Sequence, residues 1–90
     1  MNKDEIFLTL KKNIMQQLEG EVEESEVGMN KSMAELGANS LDIIEIVSRT
    51  MREIKVKVPR EELAKLKNLK ELAEIMAKYK NEQDTKNSIS

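Results

Sequence analysis

Cysteine, histidine and tryptophan are absent from this chain of 90 residues, which also has only one Phe, one Tyr, one Pro and three Gly. Without Cys or His there is no thiolate chemistry, no disulfide, no imidazole general base and none of the usual zinc ligand sets. The lack of Cys also suits a reducing compartment. With almost no aromatic platforms and a net charge of −2, the chain lacks the stacking surfaces and basic groove of a nucleic-acid binder. Nucleic acid is not an expected partner. No apolar run approaches the ~20 residues of a membrane span, and Met1 to Leu18 is interrupted by Lys3, Asp4, Glu5, Lys11 and Lys12. The expectation is a cytoplasmic protein without a membrane span.

What remains is 39% hydrophobic and 36% charged residues, so aliphatic side chains and six Met must build the interior. That composition favours packed helices. A chain of this length suits one small domain that buries somewhat over ~60% of its extended surface. Charge is unevenly spread: Glu19 to Glu45 holds eight acidic residues against Lys31 alone, and Arg49 to Lys80 holds ten basic against five acidic. The acidic run Glu19, Glu21, Glu23, Glu24 and Glu26 lacks the alternating Asp/Asn and Gly of a calcium loop. It reads as a solvated face, and no metal site is expected.

Helical periodicity appears first near Asn2, which forms a capping box with Glu5. Ile6, Leu10, Ile14 and Leu18, joined by Phe7, trace one face, with Leu8 and Met15 off it. Gly20 ends this helix and a long polar loop follows, anchored by Val22, Val27 and Met29; loops of that length are functional or mobile. Ser32 with Glu35 signals a short helical turn that Gly37 breaks. A second helix runs from about Ser40 to Glu53. It carries one apolar stripe of Ile43, Ile46, Thr50 and Ile54, and another of Leu41, Ile44, Val47, Ser48 and Met51. Two stripes exceed a one-sided core. They fit either a central helix packed on both sides or an exposed recognition face.

The alternation Ile54-Lys55-Val56-Lys57-Val58 resembles a strand, but no second strand exists to pair with it. It is expected to be an extended connector with Val56 and Val58 inward. Pro59 opens a short helix over about Arg60 to Lys65. Asn68 and Glu71 cap a last helix with Leu69, Leu72, Ala73 and Met76 inward. From Asn81 the chain is polar and is expected to be a disordered tail. The fold class is all-α: three main helices, one short helix and a long first loop.

The stretch Leu36-Gly37-Ala38-Asn39-Ser40-Leu41-Asp42 puts a serine at the mouth of a helix. There, free backbone N–H groups and the helix dipole favour an anion. Asn39 already supplies a cap, so capping alone does not account for Ser40. Gly37 and Ala38 are expected to leave room for a modifying enzyme.

In this motif, the order of helices, the long first loop and the Val58-Pro59 connector, the chain resembles the acyl carrier proteins from about Lys3 to Tyr79. The resemblance implies an acyl-carrier-like four-helix bundle over residues 1–80, with 81–90 as the tail. It also implies that Ser40 carries covalent 4′-phosphopantetheine, delivered from coenzyme A by a phosphopantetheinyl transferase, and that the chain is a monomer and not an enzyme. Asn39, Leu41, Asp42, Ile44, Glu45, Ser48 and Met51 would then face partner enzymes. Members of the family commonly have an aspartate where Asn39 stands, associated with the transferase's magnesium site. An amide there offers oxygen without charge. They also commonly carry more acid along the second helix, where this chain has Met51, Arg52, Lys55 and Lys57. That difference predicts a narrower set of partners.

The Asn39-Ser40-Leu41-Asp42 motif and Val58 to Leu63 are similar to free-standing carriers of polyketide pathways, including acetyl or malonyl donor carriers of β-branching cassettes. Fatty-acid or polyketide acyltransferases, ketosynthases and hydroxymethylglutaryl-synthase-like enzymes are the implied partners. The alternatives are a D-alanyl or other specialised carrier and an unmodified interaction module. Ala38 and Asn39 argue against a peptidyl carrier. A Ser-Lys hydrolase finds no Lys near Ser40 and no oxyanion loop. The Met side chains are soft enough to fill gaps or to adapt to an acyl chain.

Overall fold

The computed structural model describes the backbone of residues 1–89 and the side chains through Asp84. It contains α1 (Lys3–Gln17), α2 (Ser40–Ile54), α3 (Arg60–Leu63) and α4 (Leu69–Ile89), with a 3₁₀ turn at Glu24–Glu26 in the long first loop. The described residues form no strand. α1 packs against both α2 and α4.

α1 starts at the capping box. The Glu5 N–H donates to Asn2 Oδ1 at 2.9 Å, and the Asn2 N–H donates to Glu5 Oε1 at 3.1 Å. Its stripe of Ile6, Leu10, Ile14 and Leu18 is wholly buried, each side chain contributing about 1.5–3 kcal/mol by leaving water. From α4 the stripe meets Leu69, Leu72, Ala73 and Met76, and from α2 it meets Ile46 and Ile54. Leu8 lies outside, exposed. Met15 is partly buried against the core.

The first loop is held at several points. Val22, Val27, Met33 and Leu36 are buried. The carbonyls of Lys31 and Met29 accept from the Leu69 and Lys70 N–H groups at 2.9 and 2.8 Å. The loop thereby satisfies two of the donors that the start of α4 leaves without helical partners.

α2 ends at Lys55, a non-glycine residue in the left-handed region at φ 57°, where glycine is the usual occupant. The Val56 N–H reaches back to the Met51 carbonyl at 3.0 Å. Val56 and Val58 are buried while Lys55 and Lys57 are exposed, so the strand-like alternation records burial. The backbone of Lys57 pairs with a side-chain amide: Gln83 Oε1 accepts from the Lys57 N–H at 3.3 Å, and Gln83 Nε2 donates to the Lys57 carbonyl at 2.9 Å.

Two elements differ from expectation. α3 is a single turn ending at Leu63, and the chain continues through turn bonds such as Lys65 N–H to the Glu62 carbonyl. α4 does not stop near residue 80 but continues to Ile89, where a disordered tail was expected; Ser90 lies outside the described residues. Gln83 clamps this extension to the connector, and Lys80 Nζ pairs with Asp84 Oδ1 at 3.1 Å, an i,i+4 pair of the kind that supports helix. Among the described residues no helix is long and apolar enough to cross a membrane.

Candidate functional site

The segment before α2 is a closed turn. Ser32 and Glu35 exchange side-chain bonds to each other's N–H groups at 3.1 and 3.0 Å. The Gly37 N–H bonds the Ala34 carbonyl and the Ala38 N–H bonds the Met33 carbonyl. Met33, Leu36 and Ala38 point into the core. Gly37 has φ 92°, and a Cβ there would meet no atom within 4 Å. Its role is therefore backbone conformation. Ala38 likewise anchors the turn from inside, with its side chain buried. Gly37→Ala is expected to cost about 1–2 kcal/mol, the strain of a left-handed non-glycine residue, as a lowered denaturation midpoint.

This turn delivers Asn39 as the cap of α2 and Ser40 as its first residue, both exposed. Asn39 Oδ1 accepts from the Asp42 N–H at 2.8 Å and Asp42 Oδ2 accepts from the Asn39 N–H at 3.1 Å. The Ser40 hydroxyl takes no part in capping. The N–H groups of Ser40 and Leu41 have no acceptor among the described residues. A hydroxyl beside two open donors at the positive end of a fifteen-residue helix suits a phosphate ester.

Asp42 does more than expected of a surface residue. Its second oxygen accepts from Gln17 Nε2 at 3.0 Å, so the carboxylate ties the end of α1 to the start of α2. The Gln17 bond, and then the Asn39 backbone bond, hold its carboxyl below the ordinary value of 3.8. A depressed native value means that the stabilisation is present above 3.8 and is lost as the pH falls through the native value. Asp42→Asn is accordingly expected to melt below the wild type at neutral pH, with the gap closing on acidification; thermal scans across the acid range check this. Gln17 was not singled out by sequence reasoning. Its signal was its place three residues after Ile14, on the buried side of α1.

The other residues assigned to partner contact divide into two groups. Leu41 and Ile44 stand out, 77% and 61% exposed, as two large apolar side chains next to Ser40. Glu45 is half-buried and its carboxylate is shared by Arg49 at 3.2 Å and Arg52 at 4.0 Å. Ser48 and Met51 are half-buried and line a groove of about 670 Å³ that runs along α2 toward α3 and α4. Ile43, on the first stripe with Ile46, is only half-buried and lines that groove. Ile46 and Val47 are buried, so the second stripe is split between surface and core.

No group of three or more acidic side chains able to hold a metal occurs among the described residues. The acidic loop is solvated, with Lys11 Nζ 3.3 Å from Glu24 Oε1. The exposed serine, the open donors and the apolar groove beginning one turn later fit a phosphate-linked arm.

Comparison with known proteins agrees with this geometry. A family model described as the phosphopantetheine attachment site matches residues 12–76. The polyketide biosynthesis acyl-carrier-protein AcpK of Bacillus subtilis (strain 168) is 37% identical over 76 residues, covering 84% of this chain and 92% of that protein. No solved structure gives a significant match. The chain belongs to the acyl carrier proteins, which hold acyl groups on 4′-phosphopantetheine and catalyse no reaction themselves.

Proposed function

We propose that Ser40 is the attachment point and that the chain is a free-standing carrier of polyketide biosynthesis. The observation that carries this is the division of labour at the start of α2. Asn39 and Asp42 complete the capping box between themselves, which leaves the Ser40 hydroxyl exposed and uncommitted. Its similarity to a polyketide biosynthesis carrier over most of both chains supports the pathway. The carrier unit is residues 1–80, and the last turns of α4 extend from it.

Attached at Ser40, the arm supplies a terminal thiol that bears acyl groups as thioesters. The chain's own part is to present it. The turn at Gly37 fixes where α2 begins, Leu41 and Ile44 offer an apolar contact to an approaching enzyme, and the partly neutralised Glu45 sets the local charge. Burying two such side chains against a partner gains free energy by removing them from water, with charge deciding the encounter. The partners are a phosphopantetheinyl transferase and the acyltransferases, ketosynthases or hydroxymethylglutaryl-synthase-like enzymes that use the loaded arm.

Incubation with coenzyme A and a broad-specificity transferase, followed by intact mass measurement, is expected to add one phosphopantetheine. Loading the holo chain from malonyl, acetyl, amino-acyl and D-alanyl donors then separates the carrier types. Malonyl or acetyl transfer supports the polyketide role, and preference for D-alanyl would replace it. Asn39→Asp is expected to raise the loading rate most at limiting magnesium, because a carboxylate adds charge where the amide offers one oxygen. That oxygen is already engaged by the Asp42 N–H. Equal rates across a magnesium titration would remove Asn39 from any part in metal binding.

A further inference from the structure

The groove along α2 does not end at Met51. Ser48, Met51 and Val58 also line a second groove, which continues past the end of the helix between Arg52, Lys55, Val56, Lys57 and Gln83. The first is apolar near Ile43, Ile44 and Val47, and the second has an apolar floor with three cations at its rim. Lys55 and Lys57 make no ion pair among the described residues. Arg52 has only a 4.0 Å contact to Glu45, which is already paired with Arg49. The backbones that carry the two lysines are also fixed. Lys55 occupies a left-handed position usually taken by glycine, and backbone outliers of that kind collect at functional positions. The Lys57 backbone is clamped on both sides by the Gln83 amide.

From Ser40, at about 1.5 Å per residue, Arg52 and Lys55 lie roughly 18–22 Å along the helix direction. A phosphopantetheine arm ending in a three-carbon acyl group is a chain equivalent to between five and six residues. At about 3.3–3.6 Å per residue-equivalent it extends about 19 Å. We infer that Arg52, Lys55 and Lys57 form a carboxylate site for acyl cargo that ends in a free carboxylate, such as a malonyl half-thioester, carried on an arm lying along the two grooves. The apolar floor takes the arm and the cations take the charge at its end. A neutral acyl group of the same length leaves Lys55 and Lys57 without an ion-pair partner among the described residues, so this surface distinguishes carboxylated from neutral cargo.

This inference rests on Ser40 as the attachment point, and its test separates the two. Malonyl and butyryl arms are installed from the corresponding acyl-coenzyme A by a broad-specificity transferase, and the two forms are compared by amide and side-chain NMR. In the malonyl form the resonances of residues 48–58 and the Arg52 guanidinium are expected to shift relative to the butyryl form. The difference is expected to disappear near 1 M salt, where the screening length is about 3 Å. It is also expected to be lost in Lys55→Gln/Lys57→Gln and retained in Lys55→Arg/Lys57→Arg. Both lysines are exposed, and the spectrum of the remaining residues reports whether each variant is folded. Failure to gain mass overturns the attachment and this site with it. Normal loading with matching malonyl and butyryl spectra in the wild type overturns this site alone, as does a difference that survives the glutamine pair.

Discussion

Ser40→Ala is expected to abolish loading completely while leaving the helical bundle at wild-type stability. Ser40 is exposed and its hydroxyl makes no hydrogen bond among the described residues, and alanine is the best helix former at a position with nothing to pack against. The cap belongs to Asn39, which keeps its bond to the Asp42 N–H in the variant. Loss of modification with an unchanged melting temperature therefore isolates the hydroxyl. The two serines nearest to it in the chain are placed differently. Ser32 uses its hydroxyl to accept from the Glu35 N–H, and Ser48 lies half-buried in the middle of α2. If Ser40→Ala unfolded the chain, the residue would be structural and the division between Asn39 and Ser40 would be wrong.

Thr50→Val is expected to destabilise the protein by about 1–3 kcal/mol, the cost of leaving a buried donor unpaired. Between α1 and α2, Asn13 Nδ2 donates to Thr50 Oγ1 at 2.9 Å, and Thr50 Oγ1 donates to the Ile46 carbonyl at 2.8 Å. Both residues are fully buried, and Asn13 Oδ1 has no partner. Valine keeps the shape of threonine, so the loss is one of hydrogen bonding and not of packing. Asn13→Leu/Thr50→Val removes both polar groups together and is expected to recover most of that loss, since apolar replacement of a buried polar pair is often close to neutral. Denaturant midpoints for the two singles and the double give the coupling. A Thr50→Val protein as stable as the wild type would show that the pair contributes nothing.

This pair also marks how far the sequence could be read. α1 and the first half of α4 were legible because each buries a single stripe, so Ile6, Leu10, Ile14, Leu69, Leu72 and Met76 declare their faces by spacing alone. Asn13 occupies the same face of α1, seven residues after Ile6, but its polarity hid it. Only the facing position of Thr50 explains it. α2 was ambiguous for a different reason. Its two stripes could be covered on both sides, and the sequence does not state that α3 is a single turn, too short to cover Leu41 and Ile44. The extension of α4 was illegible because its composition is that of a tail. A contact from Gln83 to a backbone 26 residues away holds it, and helical spacing carries no trace of that bond.

At the site, the capping spacing of Asn39 and Asp42 and the placement of Ser40 were legible, and so was the family. The cross-helix bond from Gln17 to Asp42 was not, because no local pattern links the end of one helix to the start of another. Nor was the inward direction of Ala38, which looks in sequence like part of an open turn.

The central claim is that one hydroxyl, that of Ser40, receives the phosphopantetheine, and peptide-level mass spectrometry of the loaded wild-type chain tests it most directly. Trypsin cuts after Lys31 and Arg49 and releases one peptide that holds Ser32, Ser40 and Ser48. Fragmentation is expected to place the added mass on Ser40 alone. The same mass on Ser32 or Ser48, or a transferase reaction that leaves this peptide unchanged, would contradict the account.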